Sequence, residues 1–395
     1  MNRLLPLLLL CACAGSLVDH NDPALTSNGT GTCLDGTFKT ATGCHEAGAI
    51  SAGTSHTCAM VVGGEAQCWG ANDQGQLGRP GDPSFVPVQA MVAGRVSAIA
   101  AGSSHACAIA DGNVWCWGDN TFGQLGLGTV GGTSATPQMV RNFLGVTQLA
   151  AGASHTCAVN GTEMRCWGRN HLGQLGNGST GDRPDPTPVG AGVGFPIAAI
   201  AAGDAHTCAI GTSGVFCWGN NGAGQLGINQ SGGAYSTPSL ITSSALNGAS
   251  FLGLGANHSC AGTFSGTLYC WGANGVYQVD GSGQDQKSPR QSVVTAQAVV
   301  GGTGHTCAIG KDQRVKCWGL DNKGQLGVES ADYGPFDVDL GGDVQVVAAG
   351  SAHTCAIAAD GKTRCWGLND RGQVGVDPAK TPRGFIATPT PVSGR

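Results

Sequence analysis

Charge is scarce in this sequence. Lys and Arg number 20 and Asp and Glu 25 among 395 residues, 11% in all, with a net charge of −5. Without a basic excess there is no footprint for nucleic acid, and without an acidic run there is no solvated acidic tail. Aromatic residues are few as well, at 6%. The apolar run Leu4–Leu10 is too short to span a bilayer. Three enzyme signatures are also missing: no His/Asp/Ser set and no paired carboxylates stand out, and no nucleotide-binding glycine loop follows a strand. A cofactor is therefore not expected.

What is abundant is glycine, 68 residues, and cysteine, 18. Both belong to a repeat. The stretch from Leu149 to Gly176, LAAGASHTCAVNGTEMRCWGRNHLGQLG, occurs in seven versions, with histidines at His56, His105, His155, His206, His258, His305 and His353, 47 to 52 residues apart. Such regularity marks an array whose units bury their apolar faces only against one another. Each unit opens with an apolar run such as Ala98-Ile99-Ala100-Ala101-Gly102, which suits a buried strand. His-Thr-Cys-Ala follows, then a turn, then a strand ending in Cys-Trp-Gly. A Gly/Asn-rich turn comes next, and last a short strand carrying Thr-Pro or Ser-Pro (Thr136-Pro137, Thr187-Pro188, Thr237-Pro238, Ser288-Pro289). Proline belongs on an edge strand, so this one is placed at the outer rim.

Register decides what the cysteines do. With Asp111-Gly112 as a two-residue hairpin turn, Ala110 faces Asn113 and, three steps out, Cys107 faces Cys116 at a non-hydrogen-bonded site, where Cα atoms lie about 4.5 Å apart. Units with one more residue take a three-residue turn, Val62-Gly63-Gly64 or Ala359-Asp360-Gly361, and the facing is kept. Seven disulfides within single units are predicted: Cys58–Cys68, Cys107–Cys116, Cys157–Cys166, Cys208–Cys217, Cys260–Cys270, Cys307–Cys317 and Cys355–Cys365. The competing reading is a metal site, since His-x-Cys plus a facing Cys offers three ligands on one strand face. Alternation sends the Trp series (Trp69, Trp117, Trp167, Trp218, Trp271, Trp318, Trp366) to the opposite face, as core between units. The histidines are read as structural.

The N-terminus has the features of an export signal, residues 1–13: Arg3, the Leu run, then small residues. Leu10-Cys11-Ala12-Cys13 resembles a bacterial lipobox, which implies acylation of Cys13 and a membrane association through lipid alone. Ala14 in place of Asp would by the same resemblance favour an outer membrane. Cleavage at Ala12-Cys13-Ala14 without acylation is the alternative. Residues 14–48 are read as a flexible tether with one small loop closed by Cys33–Cys44, and residues 49–395 as the array. Paired cysteines at this density point to an oxidising compartment.

Four short strands in about 50 residues make a propeller blade, so an all-β, seven-bladed β-propeller is expected. No Thr-Pro strand precedes Ala49–Ala52, yet one follows the last repeat at Thr388-Pro389-Thr390-Pro391-Val392. The C-terminal strand is therefore expected to pair into the first blade and fasten the ring. The repeat, AGxxHTCA with CWGxNxxGQLG, resembles that of the regulator of chromosome condensation family over residues 49–393. Two units depart: the fifth has Val276-Tyr277-Gln278-Val279-Asp280, implying an altered turn, and the seventh Gly372-Gln373-Val374-Gly375.

The resemblance implies guanine-nucleotide exchange on a small nuclear GTPase for the founding member, and related bacterial propellers include secreted β-lactamase inhibitors. Fold alone does not carry either activity. The leading expectation is a non-enzymatic, monomeric propeller that binds a protein partner, with no nucleic acid. Exchange activity and carbohydrate binding or cleavage are the alternatives. Candidate contacts are the two variable positions before each GQLG motif, and best among them Phe122, His171, Lys323 and Arg371, with Tyr277 from the broken motif, because aromatic and Arg anchors dominate binding energy.

Overall fold

The computed structural model describes residues 37–40, 43–330 and 332–394. Seven four-stranded antiparallel sheets stand in chain order, each built from consecutive strands. In blade 3 these are Gln148–Ala151, His155–Val159, Met164–Gly168 and Arg183–Pro188, from inside to outside. The apolar run is the inner strand and lines a central channel of about 210 Å³ with Ala, Gly and the aliphatic side chains of Ile, Leu and Val. Proline-bearing strands are outermost, where no further ladder asks for their missing N–H. Cys107 faces Cys116 and Ala110 faces Asn113, as the two-residue turn requires. In blades 1 and 7 a glycine with positive φ, Gly64 or Gly361, ends the three-residue turn. All seven predicted disulfides are present, each with Cα atoms 4.1 Å apart. Their sulfurs are bonded to one another, which closes the metal reading of the same residues.

The expected ring closure is wrong. The C-terminal strand, Phe385–Pro391, pairs with the third strand of blade 7, its own blade. Blade 1 takes its outer strand from Ser84–Gln89, which lies between its own Cys-Trp-Gly and blade 2. That strand carries Val86-Pro87-Val88 instead of Thr-Pro, so the C-terminal strand only looked surplus. No strand is exchanged, and the ends meet by the same kinds of contact that join neighbouring blades elsewhere in the ring. The tether also ends earlier than expected. Phe38–Thr40 and Gly43–His45 pair as a short hairpin, the first inner strand starts at Ala47, and Phe38 is buried with its ring 5.7 Å from that of Trp69. Strands of three residues are too short to show a period. Cys13, Cys33 and the side chain of Cys44, with the export signal, lie outside the described residues.

Three circles of contacts join the blades. At one mouth of the channel, backbone N–H groups reach the neighbouring blade: Thr54 donates to Ser103 O, Ser103 to Ala153 O, Ala153 to Asp204 O, and on round to Ser351, which donates to Gly53 O. Farther out, the indole N–H of each Cys-Trp-Gly tryptophan donates to the carbonyl of the Gln in the preceding blade's turn, Trp167 to Gln124 at 3.0 Å and Trp69 to Gln373 at 2.9 Å. In six blades the Thr or Ser after the histidine donates to that same carbonyl, as Thr156 does at 3.0 Å. Between these circles sit the seven histidines, all fully buried.

The histidine tautomer follows from proton counting. Thr156 has one hydroxyl proton and gives it to Gln124 O, so toward His105 Nε2, 3.0 Å away, it can only accept. Nε2 therefore carries the hydrogen and Nδ1 does not. The same holds for His155, His206, His258, His305 and His353, whose Nε2 atoms meet Thr207, Ser259, Thr306, Thr354 and Thr57. A glycine supports each ring: a Cβ at Gly152 would collide with the His155 imidazole and come within 2.5 Å of Gly203 O.

One link is missing. Blade 2 has Ala106 where the hydroxyl belongs, and neither nitrogen of His56 has a partner. Replacing Ala106→Thr should raise the unfolding free energy by about 1–2 kcal/mol, by satisfying a buried N–H. The check is a shift of the urea midpoint at unchanged slope, with Ala106→Val, the same shape without a hydroxyl, giving no such gain. Equal behaviour of the two variants would remove the hydrogen bond from the account.

Candidate functional site

The loops between inner and second strands and those between third and outer strands emerge at the same end, since Arg169 N donates to Ser154 O and the other blades repeat the bond. The GxNxxGQLG turn is rigid. In blade 3, Asn170 Oδ1 accepts from Leu175 N while its Nδ2 donates to Ser179 O and Gly181 O, and Gln174 Oε1 accepts from Leu172 N. The second glycine of the motif, Gly173, sits at φ 77°, a left-handed conformation, with its α-carbon against Ser236 of the next blade. Blade 6 carries Asp321 for the Asn. Burial raises its carboxyl to about 6, opposed by the N–H of Leu326.

On this frame the five candidate residues fall into separate clusters at blade boundaries. Phe122 of blade 2 lies under the guanidinium of Arg169 of blade 3, 4.5 Å from ring centroid to Cζ. His171 is exposed beside them, lowered from its ordinary value by desolvation, then by Arg169, with Asp182 acting the other way. Arg371 of blade 7 pairs with Asp73 of blade 1 across the closure. Lys323 makes no ion pair among the described residues; its backbone N–H donates to Gln325 Oε1. Arg169 was not singled out by sequence, although it occupies the variable position between the Gly and Asn of the turn.

The fifth blade holds the largest departure. Tyr277 adopts φ 62°, the left-handed conformation that glycine takes in the other six blades, and Gln278 still receives Thr306 and Trp318 on its carbonyl. The first half of the turn is thus kept, contrary to the expected alteration. The second half is changed. In blades 1 to 4 and 6 the last glycine of GQLG lies flat on the next blade's indole, where a Cβ would stand 2.6–3.1 Å from Nε1. Blade 5 has Asp280 there, and the covering glycine is lost. A cavity of about 130 Å³ opens at that place between blades 5 and 6, with Trp318 in its wall. Tyr277 packs against Tyr333 at its rim, ring centroids 4.4 Å apart and the planes tilted by 38°. The substituted glycine was the sequence signal for this opening, and Tyr333 and Asp280 had none that marked them as partners.

Comparison with known proteins agrees with the repeat phase just described. Regulator of chromosome condensation (RCC1) repeats match at residues 49–76, 96–124, 146–174, 197–225, 251–278, 296–325 and 344–373, each from an inner strand to the Gln turn or just before it, and a second model of the same repeat matches at 64–109, 111–159, 166–210 and 213–261. The ultraviolet-B receptor UVR8 of Arabidopsis thaliana is 32% identical over 306 residues, 73% of this chain and 68% of the receptor. The probable E3 ubiquitin-protein ligase HERC4 of Homo sapiens is 32% identical over 242 residues, 59% of this chain and 18% of the ligase. Among solved structures, yeast RCC1 (Prp20) bound to Kap60 superposes with a TM-score of 0.72 at 22% identity over 83% of each chain, and human WBSCR16 with 0.71 at 22% identity over 83% of this chain and 94% of that one. These neighbours share the fold. No helix among the described residues is long and apolar enough to cross a membrane, and seven buried cysteine pairs suggest an oxidising, extracellular environment. Repeat phase, seven blades and the matched motifs together show that the chain belongs to the regulator of chromosome condensation (RCC1) repeat family.

Proposed function

We propose that this chain is a non-enzymatic scaffold that binds a protein partner through the GxNxxGQLG end of the propeller, in an extracytoplasmic compartment. The cluster of Phe122, Arg169 and His171 carries the reading. It combines an aromatic ring, a stacked guanidinium and an exposed imidazole on turns whose backbones are already fixed by the Asn and Gln side chains. Fixed loops lose little entropy on binding, and aromatic and Arg residues supply most of the energy at protein interfaces. Acylation of Cys13 would hold the propeller at the face of a bacterial membrane, and the cysteine pairs fit that side of it. Lys323, Arg371 and Tyr277 would extend the same surface. A fold neighbour, yeast Prp20, is described with binding properties to Gsp1p and histones, so this architecture does serve protein recognition elsewhere.

Capture with the purified full-length protein tests the reading. A protein retained from the secreted and envelope fraction should bind at least tenfold more weakly to a Phe122→Ala/His171→Ala variant, the usual consequence of losing about 1.4 kcal/mol or more at an anchor. Retention of a cytoplasmic GTPase with nucleotide release, or of a glycan, would replace this function by one of its alternatives. A partner whose affinity ignores the double variant would move the site to another face.

A further inference from the structure

The cleft between blades 5 and 6 has properties the partner-binding face does not use. Its volume, about 130 Å³, is well below the roughly 300–1,000 Å³ of pockets for drug-sized molecules, so what fits is a single small head group. Trp318 forms part of the wall, and its exposure of 4% contrasts with 0% for the other six Cys-Trp-Gly tryptophans. Tyr277, Tyr333, Pro335 and the exposed Val293 complete the apolar sides. Asp280 is the carboxylate in the lining; one of its oxygens accepts from Asn274 Nδ2 and from Ser282, and the other has no protein partner.

The two loop stretches that edge the cleft carry charge of one sign. Residues 273–286 contain Asp280 and Asp285, residues 328–340 contain Glu329, Asp332, Asp337 and Asp339, and neither stretch contains Lys or Arg. On the flanking strands Lys316 is paired with Asp337, Arg290 donates to the neutral Gln286 Oε1, and Lys287 is exposed. Aromatic faces beside a carboxylate in an acidic surround attract a cation. A primary ammonium brings three N–H donors that need acceptors, and beside the rings and aliphatic walls this cleft offers the free Asp280 oxygen, Gln291 and Ser292, whose hydroxyl already accepts from Val294 N–H. A methylated ammonium brings none, and is satisfied by ring faces and a nearby negative charge.

From this geometry we infer that the cleft of Tyr277, Asp280, Trp318 and Tyr333 is a binding site for a small methylated ammonium group of the choline type. The inference rests on blades 5 and 6 and on no residue of the Phe122 cluster; it shares only Tyr277 with the outer part of the partner-binding surface, and the Phe122→Ala/His171→Ala variant leaves every wall of the cleft in place. It also accounts for a tyrosine being held in a conformation that glycine occupies in the other blades.

Choline chloride is the probe, titrated by calorimetry against the full-length protein. Binding should occur with a dissociation constant on the order of a millimolar, as expected of a ligand with few heavy atoms. The uncharged carbon isostere 3,3-dimethyl-1-butanol should bind at least about tenfold more weakly, because the cation–π and carboxylate attraction is gone. Asp280→Asn should weaken choline by a similar factor. Tyr277→Gly restores the glycine used at this position in the other six blades, so the fold is kept while one wall is removed, and binding should be lost. Four outcomes overturn the site: no binding of choline up to about 50 mM, which corresponds to negligible affinity; equal binding of the isostere; tighter binding of n-butylammonium than of choline; or full binding by the Tyr277→Gly and Asp280→Asn variants.

Discussion

Acidification should unfold the ring steeply between about pH 6.5 and pH 4, with the seven buried histidines as the main cause. Burial holds each imidazole neutral, lowering it from 6.5 to about 3 at His56, His206, His305 and His353 and to about 4 at His105, His155 and His258. Neighbouring imidazoles add a smaller lowering at five of them, for example His105 on His56. The folded base is depressed, so the unfolded chain binds more protons throughout this window. Stability is therefore full above the unfolded value near 6.5, falls as the pH drops below it, and stops falling only near the folded values. At pH 5 each ring removes about 2 kcal/mol, and the set on the order of 14 kcal/mol, which matches or exceeds the net stability of an ordinary domain. Two groups act the other way. Asp321, and Asp204 at the channel mouth, are raised by burial and give back some stability as they protonate. They are partly exposed and outnumbered.

The measurement is the number of protons taken up on unfolding. Urea unfolding free energies followed from pH 6 to pH 5 should change by roughly 8–9 kcal/mol per pH unit, corresponding to six to seven protons. A slope of one or two protons would mean that the rings are charged or hydrated in the folded state, and the tautomer deduced from the threonine hydroxyls would fall with it. His155→Gln should lower the uptake by about one proton, since it deletes one titrating group. That variant separates the histidine effect from acid unfolding driven by carboxylates.

Seven blades and seven disulfides were legible because the hairpin is a local object. Cys107 and Cys116 are nine residues apart, and turn length with the alternation of a strand fixes their facing without knowledge of the rest of the chain. The closure was not legible from the dipeptide used to find outer strands. Ser84–Gln89 pairs with its neighbour through backbone and carries Pro87 in a different setting, so counting Thr-Pro left one strand over. The circles of His, Thr, Gln and Trp escaped for another reason: each bond joins residues in different repeats, about 30 to 50 positions apart except across the ring closure, and no spacing within one repeat signals which partner a side chain meets. At the cleft, sequence marked the anomaly at Tyr277 but not its consequence. That consequence depends on the last glycine of one turn covering an indole of the next blade, a contact visible only once the blades are side by side.

Reduction should have no effect on the folded propeller and a severe one on its ability to refold. All fourteen paired cysteines are 0% exposed, so a thiolate reaches a sulfur only after a blade opens. Dithiothreitol at neutral pH should therefore release no thiols over hours in buffer, and release all fourteen in guanidinium. Each bond closes a loop of about ten residues and constrains the unfolded chain by up to 2.5–3 kcal/mol, so losing the full set removes up to about 20 kcal/mol. Residual hairpin structure in the unfolded chain lowers that figure, but the remainder still exceeds what a domain can spare. Removing one pair, Cys107→Ala/Cys116→Ala, should lower stability by about 2–3 kcal/mol, and the same pair change in blade 4, Cys208→Ala/Cys217→Ala, by a similar amount, adding nearly independently because the two hairpins lie in blades that do not touch. Reoxidation should recover the native pairs readily, since each cysteine's partner lies nine or ten residues away in one turn. Alkylation of freshly isolated protein under denaturing conditions, without reductant, gives the opposing outcome directly. Labelling of the repeat cysteines there, or a melting temperature unmoved by either paired substitution, would show that the blades hold without their bonds and would withdraw the argument for an oxidising compartment.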